Sequence, residues 1–502
     1  MFSRVTGCTI VGIEGKPVDV EVFLSSQLPS FDIVGLPDTA VREARDRVRA
    51  AIKNSSFHFP PQRIVVNLAP ADVKKEGPQL DLALAIGILR ASGQLAAEET
   101  DRVYLGELAL DGTLRPVRGV LPMVLAARDA GCRKLLLPLA NAAEASLVQG
   151  VDIIGVTSLE EAVAVLTGRQ QPPPLPRTVS KKEKTAADFI TVKGQESAKR
   201  ALEVAAAGGH NVLMTGPPGS GKTMLARCVP SVLPPMTEEE SMETTKIYSA
   251  AGLLPENSGL ITVRPFRSPH HTLTPAALCG GGKNPRPGEV SLAHNGVLFL
   301  DEMPEFRRET LEVLRQPLEE GTVTVTRLQA AITYPSRFML LASMNPCPCG
   351  MLTDTEAECI CSERQIHAYR HKISGPLLDR IDLFVDVARL RYDEVAGRGQ
   401  GEPSKAIAER VAAARRLQSR RFAGDGIRCN AEMLPQHIQQ YCVPDAAGRD
   451  LLRHAFNRLR LTARAYDRIL KVARTIADLE GEKNILPHHL AEAISYRQTM
   501  AF

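Results

Sequence analysis

The octapeptide GPPGSGKT restricts the fold of this chain more than any other stretch of its sequence. It matches the pattern G-x-x-x-x-G-K-[ST], follows the apolar run NVLM and precedes MLARCV, which begins like a helix. A glycine-rich loop between a buried strand and a helix gathers backbone N–H groups and a helix N-terminus around a phosphate. The sequence therefore predicts a phosphate-binding loop with these candidate ligands: Gly216, Pro217, Pro218, Gly219, Ser220, Gly221, Lys222 and Thr223.

Specific roles follow for two loop residues and for a second, acidic stretch. Lys222 would reach the β- and γ-phosphates, and the Thr223 hydroxyl would ligate Mg²⁺. The stretch GVLFLDE gives four apolar residues and then the carboxylates of Asp301 and Glu302. Asp301 would hold the Mg²⁺ through water, and Glu302 would act as general base on the attacking water. A strand that ends in a solvated acidic pair is common by itself, but beside a phosphate loop this pair predicts hydrolysis of a bound nucleotide.

Further polar groups follow the expected strands and helices. The run RFMLLASMNP ends at Asn345, and strand ends on one edge of a parallel sheet converge on a single crevice. Downstream, GPLLDRID carries Arg380, which could stabilise charge on a γ-phosphoryl group across a subunit boundary. The amphipathic stretch TARAYDRILKVARTIADL offers Arg464 and Arg468 as cations that sense the nucleotide. For each arginine the alternative is a surface ion pair.

A stretch rich in proline and lysine, GRQQPPPLPRTVSKKEKTAA, divides the chain and has the composition of a linker. We expect an α/β N-terminal domain over 1–168, a linker over 169–187, a second α/β region over 188–396 and a mostly helical region over 397–502. The sequence shows neither a signal-peptide pattern nor a run of about eighteen apolar residues. We therefore expect a cytoplasmic protein whose thiols stay reduced.

Four of the ten cysteines lie within fifteen residues, in CPCGMLTDTEAECIC. Cys347, Cys349, Cys359 and Cys361 could form a closed tetrahedral Zn²⁺ site of structural type. The C-x-C spacing is tighter than the usual C-x₂₋₄-C, so free thiols and disulfides stay open as alternatives. If a metal is bound, we expect it to fix the loop that leads to Arg380.

The net charge of +4 is too small to indicate a nucleic-acid partner, but clustered basic residues can form an electrostatic footprint for phosphate backbones. The C-terminal region is rich in arginine, and an insertion at about 255–289 carries Lys283 and Arg286 as candidate DNA contacts. The segment GTVTVTRLQAAITYPSRF alternates as a hairpin does. With aromatic residues at only 4%, binding to the DNA backbone is favoured over base stacking. The alternatives are solvated helix faces and an insertion that serves only oligomer contacts.

The chain resembles an AAA+ ATPase in the order of its motifs, which are a phosphate loop, an acidic strand, an asparagine, an arginine and a helical lid. RPFRSPHHT, the C-P-C-G step and SGPLLDRID are similar to the magnesium-chelatase-like branch, and the whole chain resembles the YifB/ComM family. The resemblance implies an AAA+ parallel-sheet ATPase core with a C-terminal helical lid, assembled as a hexameric ring that uses ATP and Mg²⁺. It also implies a DNA branch-migration helicase that supports recombination of incoming DNA in natural transformation. By position, Asn345 then matches the sensor-one residue of this family, and Arg380 matches the arginine finger that acts on the nucleotide of a neighbouring subunit. Arg464 matches the sensor-two arginine, with Arg468 as the alternative.

The N-terminal region resembles the Lon protease domain, an α+β fold, but differs where that family carries its catalytic residues. Gln79 stands at the position of the serine and Leu121 at that of the lysine. A serine–lysine dyad needs a hydroxyl and an amine, so we expect a domain that cuts nothing and serves ring assembly or substrate guidance. Metal insertion like that of magnesium chelatase, or protein remodelling, are the alternatives to a DNA motor. Stimulation of ATP hydrolysis by DNA separates them.

Overall fold

The computed structural model of the chain describes residues 1–96, 101–175, 187–255, 258–282, 285–326, 331–354, 357–390 and 401–498. The β-strands of this part are β1 Phe2–Val11, β2 Glu14–Ser25, β3 Ser30–Val34, β4 Arg63–Ala69, β5 Arg102–Tyr104, β6 Glu107–Leu108, β7 Leu114–Arg115, β8 Lys134–Pro138, β9 Asp152–Val156, β10 Val212–Thr215, β11 Phe266–Arg267, β12 Gly280–Gly281, β13 Arg286–Pro287, β14 Val297–Leu300, β15 Thr322–Thr326, β16 Ala331–Pro335, β17 Met339–Met344 and β18 Leu383–Asp386.

The α-helices of the same part are α1 Thr39–Asn54, α2 Asp81–Ala91, α3 Val120–Asp129, α4 Ala142–Ala145, α5 Leu159–Leu166, α6 Glu196–Gly208, α7 Lys222–Cys228, α8 Glu238–Ala251, α9 Pro275–Cys279, α10 Glu289–Leu292, α11 Arg308–Glu312, α12 Arg315–Glu320, α13 Glu363–Arg370, α14 Gly375–Leu378, α15 Ser404–Arg421, α16 Pro435–Tyr441, α17 Ala446–Leu459, α18 Ala463–Glu480 and α19 Pro487–Gln498.

The chain forms two compact units. The first comprises Met1–Lys182, Glu238–Ile261 and Pro285–Pro287. The second comprises Glu183–Thr237, Thr262–Asn284 and Gly288–Phe502. The first unit thus includes two segments that come, in sequence, after the phosphate loop and before the acidic strand.

The first unit is built on a seven-stranded mixed sheet with the order β3-β4-β2-β1-β5-β8-β9. Strand β2 pairs antiparallel with β1 and β4, and the other pairs are parallel. In β2 every second side chain is buried, among them Val18, Val20 and Val22, as expected for one face of a strand. Helices α1 and α2 cover that face, and α3 covers the opposite one, so that the sheet has a hydrophobic core on each side.

Helix α8 is held in the first unit by contacts to α3 and α4. The Gly119 N–H donates to the Ser249 carbonyl over 3.1 Å. The carboxylate of Glu144 accepts hydrogen bonds from the Leu121 N–H, over 3.0 Å, and from the Ser249 hydroxyl. Burial raises the pKa of Glu144, which these hydrogen bonds oppose. The hydrogen bonds offset the cost of burying this carboxylate and fix α8 on α3.

The second unit contains a five-stranded sheet with the order β11-β14-β17-β10-β18, in which all pairs are parallel. Strands β14 and β17 are buried along their whole length, as is usual for a parallel sheet that is covered on both faces. Because the strands are parallel, the carboxyl ends of β10, β14 and β17 lie at the same edge. This edge carries the polar residues that the sequence singled out.

The C-terminal part of the second unit is mostly helical over the described residues 401–498, as predicted. Helices α15 and α18 pack on α6, and their buried residues Ile407 and Ile476 join a core with Ala201 and Leu202. Helix α18 begins at the N-cap Thr462, whose hydroxyl accepts from the Ala465 N–H, and ends at a left-handed glycine. Thr462 and Gly481 are residues that typically begin and end helices, so the local sequence determines where α18 starts and stops.

The predicted hairpin is confirmed, because β15 and β16 pair antiparallel from Thr322↔Pro335 to Thr326↔Ala331. Residues 176–186 of the expected linker and the candidate DNA contact Lys283 lie outside the described residues. Among the described residues, no helix combines the length and apolar character that crossing a membrane requires.

Candidate nucleotide-binding site

The phosphate loop connects β10, which lies between β17 and β18 in the second sheet, to the first residue of α7. Gly216 closes the strand, and a Cβ on this residue would lie 2.1 Å from the Val387 carbonyl oxygen, so only glycine fits. Gly221 has a φ of +92° directly before Lys222, the first residue of α7. The loop therefore turns sharply and aims the N-terminus of α7 at its own interior, where a phosphate would be held by N–H groups.

Lys222 is buried and folded back onto the loop. Its ammonium donates to the carbonyl oxygens of Gly216, over 2.7 Å, and Pro217, over 2.9 Å. It also donates to Asn345 Oδ1 over 3.3 Å. Burial lowers the pKa of Lys222, against the attraction of the Asp301 and Glu302 carboxylates. A phosphate in the loop would offer this ammonium a charged and therefore stronger acceptor than the carbonyl groups.

Thr223 and Asp301 are brought together, although 78 residues separate them in sequence. The Thr223 hydroxyl donates to Asp301 Oδ2 over 2.8 Å. These are hard oxygen ligands of the type that Mg²⁺ prefers. Lys222 reaches Asn345, directly after β17, and Thr223 reaches Asp301, directly after β14, so adjacent residues of α7 are hydrogen-bonded to the ends of two strands.

Ser343 is a residue that the sequence reasoning missed. Its hydroxyl donates to Asp301 Oδ1 over 2.5 Å and accepts from the Glu302 N–H over 3.0 Å. The signal was present, because Ser343 is the one hydroxyl in the fully buried strand β17. It also lies two residues before Asn345, the polar residue that directly follows the strand.

Glu302 adopts a left-handed backbone conformation, with φ at +51° and ψ at +50°. For a residue with a Cβ this conformation costs about 1–2 kcal/mol. The hydrogen bond from its N–H to Ser343 stabilises the turn, and strain of this kind concentrates at functional sites. The turn directs the chain away from the strand directly after Asp301.

The predicted arginines have carboxylate partners in the second unit. Arg380 is 8% exposed, donates to the Pro376 carbonyl over 2.6 Å and pairs with Glu319. Arg464 is 68% exposed and lies 3.7 Å from the Asp379 carboxylate. Their roles at a nucleotide stay predictions.

Arg468 pairs with Asp382, a fully buried carboxylate that also accepts from the Asn211 N–H over 3.0 Å. Burial opposes the charge on Asp382, but Arg468 and His210 hold its pKa well below its usual range. This pair ties α18 to the sheet. Arg468 therefore has a structural partner, while Arg464, one turn earlier on α18, stays exposed.

The four clustered cysteines have their sulfur atoms within 4.8 Å of one another. The Sγ–Sγ distances are 3.4 Å for Cys347–Cys349 and 3.7 Å for both Cys347–Cys359 and Cys349–Cys359. For a Zn–S bond of about 2.3 Å, adjacent sulfurs of a regular tetrahedron lie about 3.8 Å apart. A disulfide needs about 2.05 Å. The cluster therefore has the dimensions of a four-thiolate metal site, and Cys361 supplies the fourth sulfur.

A second group with metal-ligand chemistry, Glu480, His488 and His489, has a simpler explanation. His489 Nδ1 accepts from the Leu486 N–H over 2.9 Å at the start of α19. The proton is thereby assigned to Nε2, which lies 3.0 Å from Glu480 and donates to it. The ring has no free lone pair to offer a metal, so His489 is a helix cap.

In the first unit, the positions matched to the Lon dyad carry side chains that cannot perform that chemistry. Gln79 is buried and donates to the Thr9 hydroxyl over 3.2 Å. Leu121 is fully buried on α3. The candidate DNA contact Arg286 is exposed on β13, and its role stays a prediction.

Comparison with known proteins agrees with this architecture. Residues 188–395 match the family described as magnesium chelatase, subunit ChlI. Residues 20–141 match subunit ChlI of Mg-chelatase, and 401–497 match its C-terminal region. Competence protein ComM of Haemophilus influenzae is 45% identical over 497 residues, which cover 97% of this chain and 96% of that protein.

The uncharacterized protein YifB of Escherichia coli is 43% identical over 493 residues, which cover 97% of this chain and 95% of that protein. Lon protease 2 of Bacillus subtilis is 30% identical over 95 residues, 19% of this chain and 17% of that protein. The fold and the phosphate loop define a magnesium-chelatase-like AAA+ protein with a Lon-like N-terminal region. The chain belongs to the ComM/YifB family, as the sequence motifs indicated.

Proposed function

We propose that this protein is an ATP-hydrolysing AAA+ motor that acts on DNA. The observation that carries the proposal is the hydrogen-bonded group at the carboxyl edge of the second sheet. Lys222, Thr223, Asp301, Ser343 and Asn345 meet there around the phosphate loop. Such a group supplies what hydrolysis of a nucleoside triphosphate needs: N–H groups and an ammonium for phosphates, and oxygen ligands for Mg²⁺.

Each residue has a proposed role. Thr223 and Asp301 hold Mg²⁺, Lys222 contacts the β- and γ-phosphates, and Glu302 takes a proton from the attacking water. Asn345 orients the γ-phosphate end of the site through its contact with Lys222. Bound Mg²⁺ supplies charge neutralisation on the phosphate oxygens.

The arginines complete the site from outside the phosphate loop. Arg380 acts on the nucleotide of a neighbouring copy in a homo-hexamer, and Arg464 senses the nucleotide in its own chain. Arg464 is favoured over Arg468 because it is exposed, whereas Arg468 is committed to the buried Asp382.

The proposed substrate is single-stranded or branched DNA, on which the protein works as a branch-migration helicase in the cytoplasm. Two observations support DNA. A relative of nearly equal length is named a competence protein. Helix α17 and the turn after it expose Arg449, Arg453, Arg458 and Arg460, which could contact phosphates without reading the sequence. Lys283 and Arg286 are the further candidate contacts.

We also propose that the four-cysteine cluster binds one Zn²⁺ as a structural site. The sulfur separations fit a tetrahedron of thiolates, and all four side chains come from one short segment. Elemental analysis of the purified protein should find about one zinc per chain. Absence of zinc together with four titratable thiols in this segment would remove the proposal.

The decisive experiment measures ATP hydrolysis with and without single-stranded and branched DNA. Strong stimulation by DNA that is lost in Lys222→Ala and in Glu302→Gln supports the motor and justifies a branch-migration assay. ATP turnover that does not respond to DNA at low salt refutes the DNA motor. The search would then turn to metal insertion or protein remodelling, since the family is also similar to magnesium chelatase.

A further inference from the structure

Gly350, at the end of the sequence CPCG, lies directly on the phosphate loop. It has a φ of +82°, and a Cβ built on it would lie 2.5 Å from Cδ and 2.8 Å from Cγ of Pro218. Real Cβ atoms do not approach that closely, so the bare backbone of Gly350 packs against the Pro218 ring. The Gly350 N–H donates to the Cys347 carbonyl over 3.0 Å, which closes residues 347–350 into a tight turn, here called the CPCG turn.

The CPCG turn is also connected to the other side of the site. Cys347 follows Asn345 by two residues, and Asn345 Oδ1 accepts from the Lys222 ammonium. The Arg370 Nε donates to the Pro346 carbonyl over 3.3 Å, which ties the end of α13 to the residue between Asn345 and Cys347. One short stretch thus contacts the phosphate loop twice, at Pro218 through Gly350 and at Lys222 through Asn345.

Two of the four clustered thiols, Cys347 and Cys349, are part of this same turn. A divalent metal bound by Cys347, Cys349, Cys359 and Cys361 would hold the turn in one conformation, because metal binding at such a site contributes directly to local folding.

We propose that a metal bound by the four cysteines positions the phosphate loop. It would hold the CPCG turn in one conformation and thereby keep Gly350 packed against Pro218. The inference rests on the proposed ATP and Zn²⁺ sites and assigns them a joint role: the metal site sets the affinity for nucleotide. Gly350 is a positioning residue, since it acts through Pro218 and reaches no phosphate itself.

The test measures zinc content and the binding of a fluorescent ADP analogue, neither of which requires turnover. Gly350→Ala should keep about one zinc per chain but bind ADP about tenfold more weakly, because the new methyl displaces Pro218. Gly424→Ala is the matched control, since Gly424 also has a positive φ, +97°, but a Cβ there meets nothing within 4 Å. It should change neither quantity.

A second change separates loop positioning from a folding defect. Pro218→Ala removes the two ring atoms that the new methyl would strike. The double variant Pro218→Ala with Gly350→Ala should therefore bind ADP more tightly than the sum of the single effects implies. Additive effects, or unchanged ADP affinity in Gly350→Ala, would overturn the role of Gly350.

Cys359→Ser with Cys361→Ser tests the metal itself. Loss of zinc together with a weaker ADP affinity supports the inference. Loss of zinc at unchanged ADP affinity overturns it while leaving the zinc site in place. A parent protein that holds zinc but binds no ADP would instead refute the proposed nucleotide site.

Discussion

At the scale of single residues, the hydroxyl of Ser343 is the smallest group on which the candidate site depends. It is fully buried, and it links Asp301 and Glu302 through two hydrogen bonds. Removing one partner from a buried hydrogen bond to a charged group costs about 1.5–3 kcal/mol, and the Glu302 N–H would lose its acceptor as well. Both carboxylates would then be free to leave the positions needed for Mg²⁺ and water.

We therefore expect Ser343→Ala to reduce kcat for ATP hydrolysis by about 10- to 100-fold and to raise the Mg²⁺ concentration required for half-maximal rate. Steady-state assays over a Mg²⁺ series measure both. The control is Ser336→Ala, which removes a fully buried hydroxyl that makes no hydrogen bond in the described residues. A Ser343→Ala enzyme with parental kcat and Mg²⁺ dependence would show that Asp301 and Glu302 are held by their strand alone.

At the scale of elements, helix α18 carries two arginines one turn apart with different environments. Arg468 is largely buried and neutralises the buried Asp382, whereas Arg464 is mostly exposed. Arg468→Ala should lower the free energy of unfolding by about 3 kcal/mol, because it leaves Asp382 buried and poorly paired. Arg464→Ala should leave the unfolding midpoint unchanged and lower ATP turnover. Denaturant titrations and ATPase assays of both variants measure these effects; the reverse pattern would exchange their roles.

The same pair predicts a pH dependence. Folding lowers the pKa of Asp382, so the unfolded chain binds the proton more readily and the stabilisation is complete above about pH 4. It is lost as the pH falls further toward the lowered folded pKa. In Arg468→Ala the pKa of Asp382 should rise, so unfolding in acid should begin at a higher pH than in the parent. Circular dichroism across an acid titration checks this, and coincident titration curves would contradict it.

At the scale of the whole molecule, contact with DNA should follow charge and should weaken with salt. Lys283→Ala with Arg286→Ala should weaken DNA binding and reduce the slope of log affinity against log salt by about 0.9 for each lost duplex phosphate contact. Fluorescence anisotropy at several salt concentrations measures this slope. Lys53→Ala, an exposed lysine at the end of α1, is the control. An unchanged slope would exclude this pair and direct attention to the arginines of α17.

How far the sequence could be interpreted depended on the distance between the residues involved. Three features were predictable because their signals are local: the phosphate loop, the hairpin of β15 and β16, and helix α18. In each, the hydrophobic periodicity, the capping residues or the glycines lie within a few residues of one another. Helix α8 was not expected beside α3, because its attachment depends on Glu144, about a hundred residues earlier in the chain. The division into domains stays a prediction, since contact between distant segments leaves no local pattern.

The sequence by itself determined the family, the strand–loop–helix around Lys222, the carboxylates after β14 and the absence of a serine–lysine pair at Gln79 and Leu121. These depend on residue identity and short spacing. Only the tertiary structure decided that Ser343 links Asp301 to Glu302, that Arg468 is bound to Asp382, and that Gly350 rests on Pro218. The physical reason is that hydrogen bonds, ion pairs and steric contacts act over a few ångströms in space, and the packing of the sheet and helices determines which residues come that close.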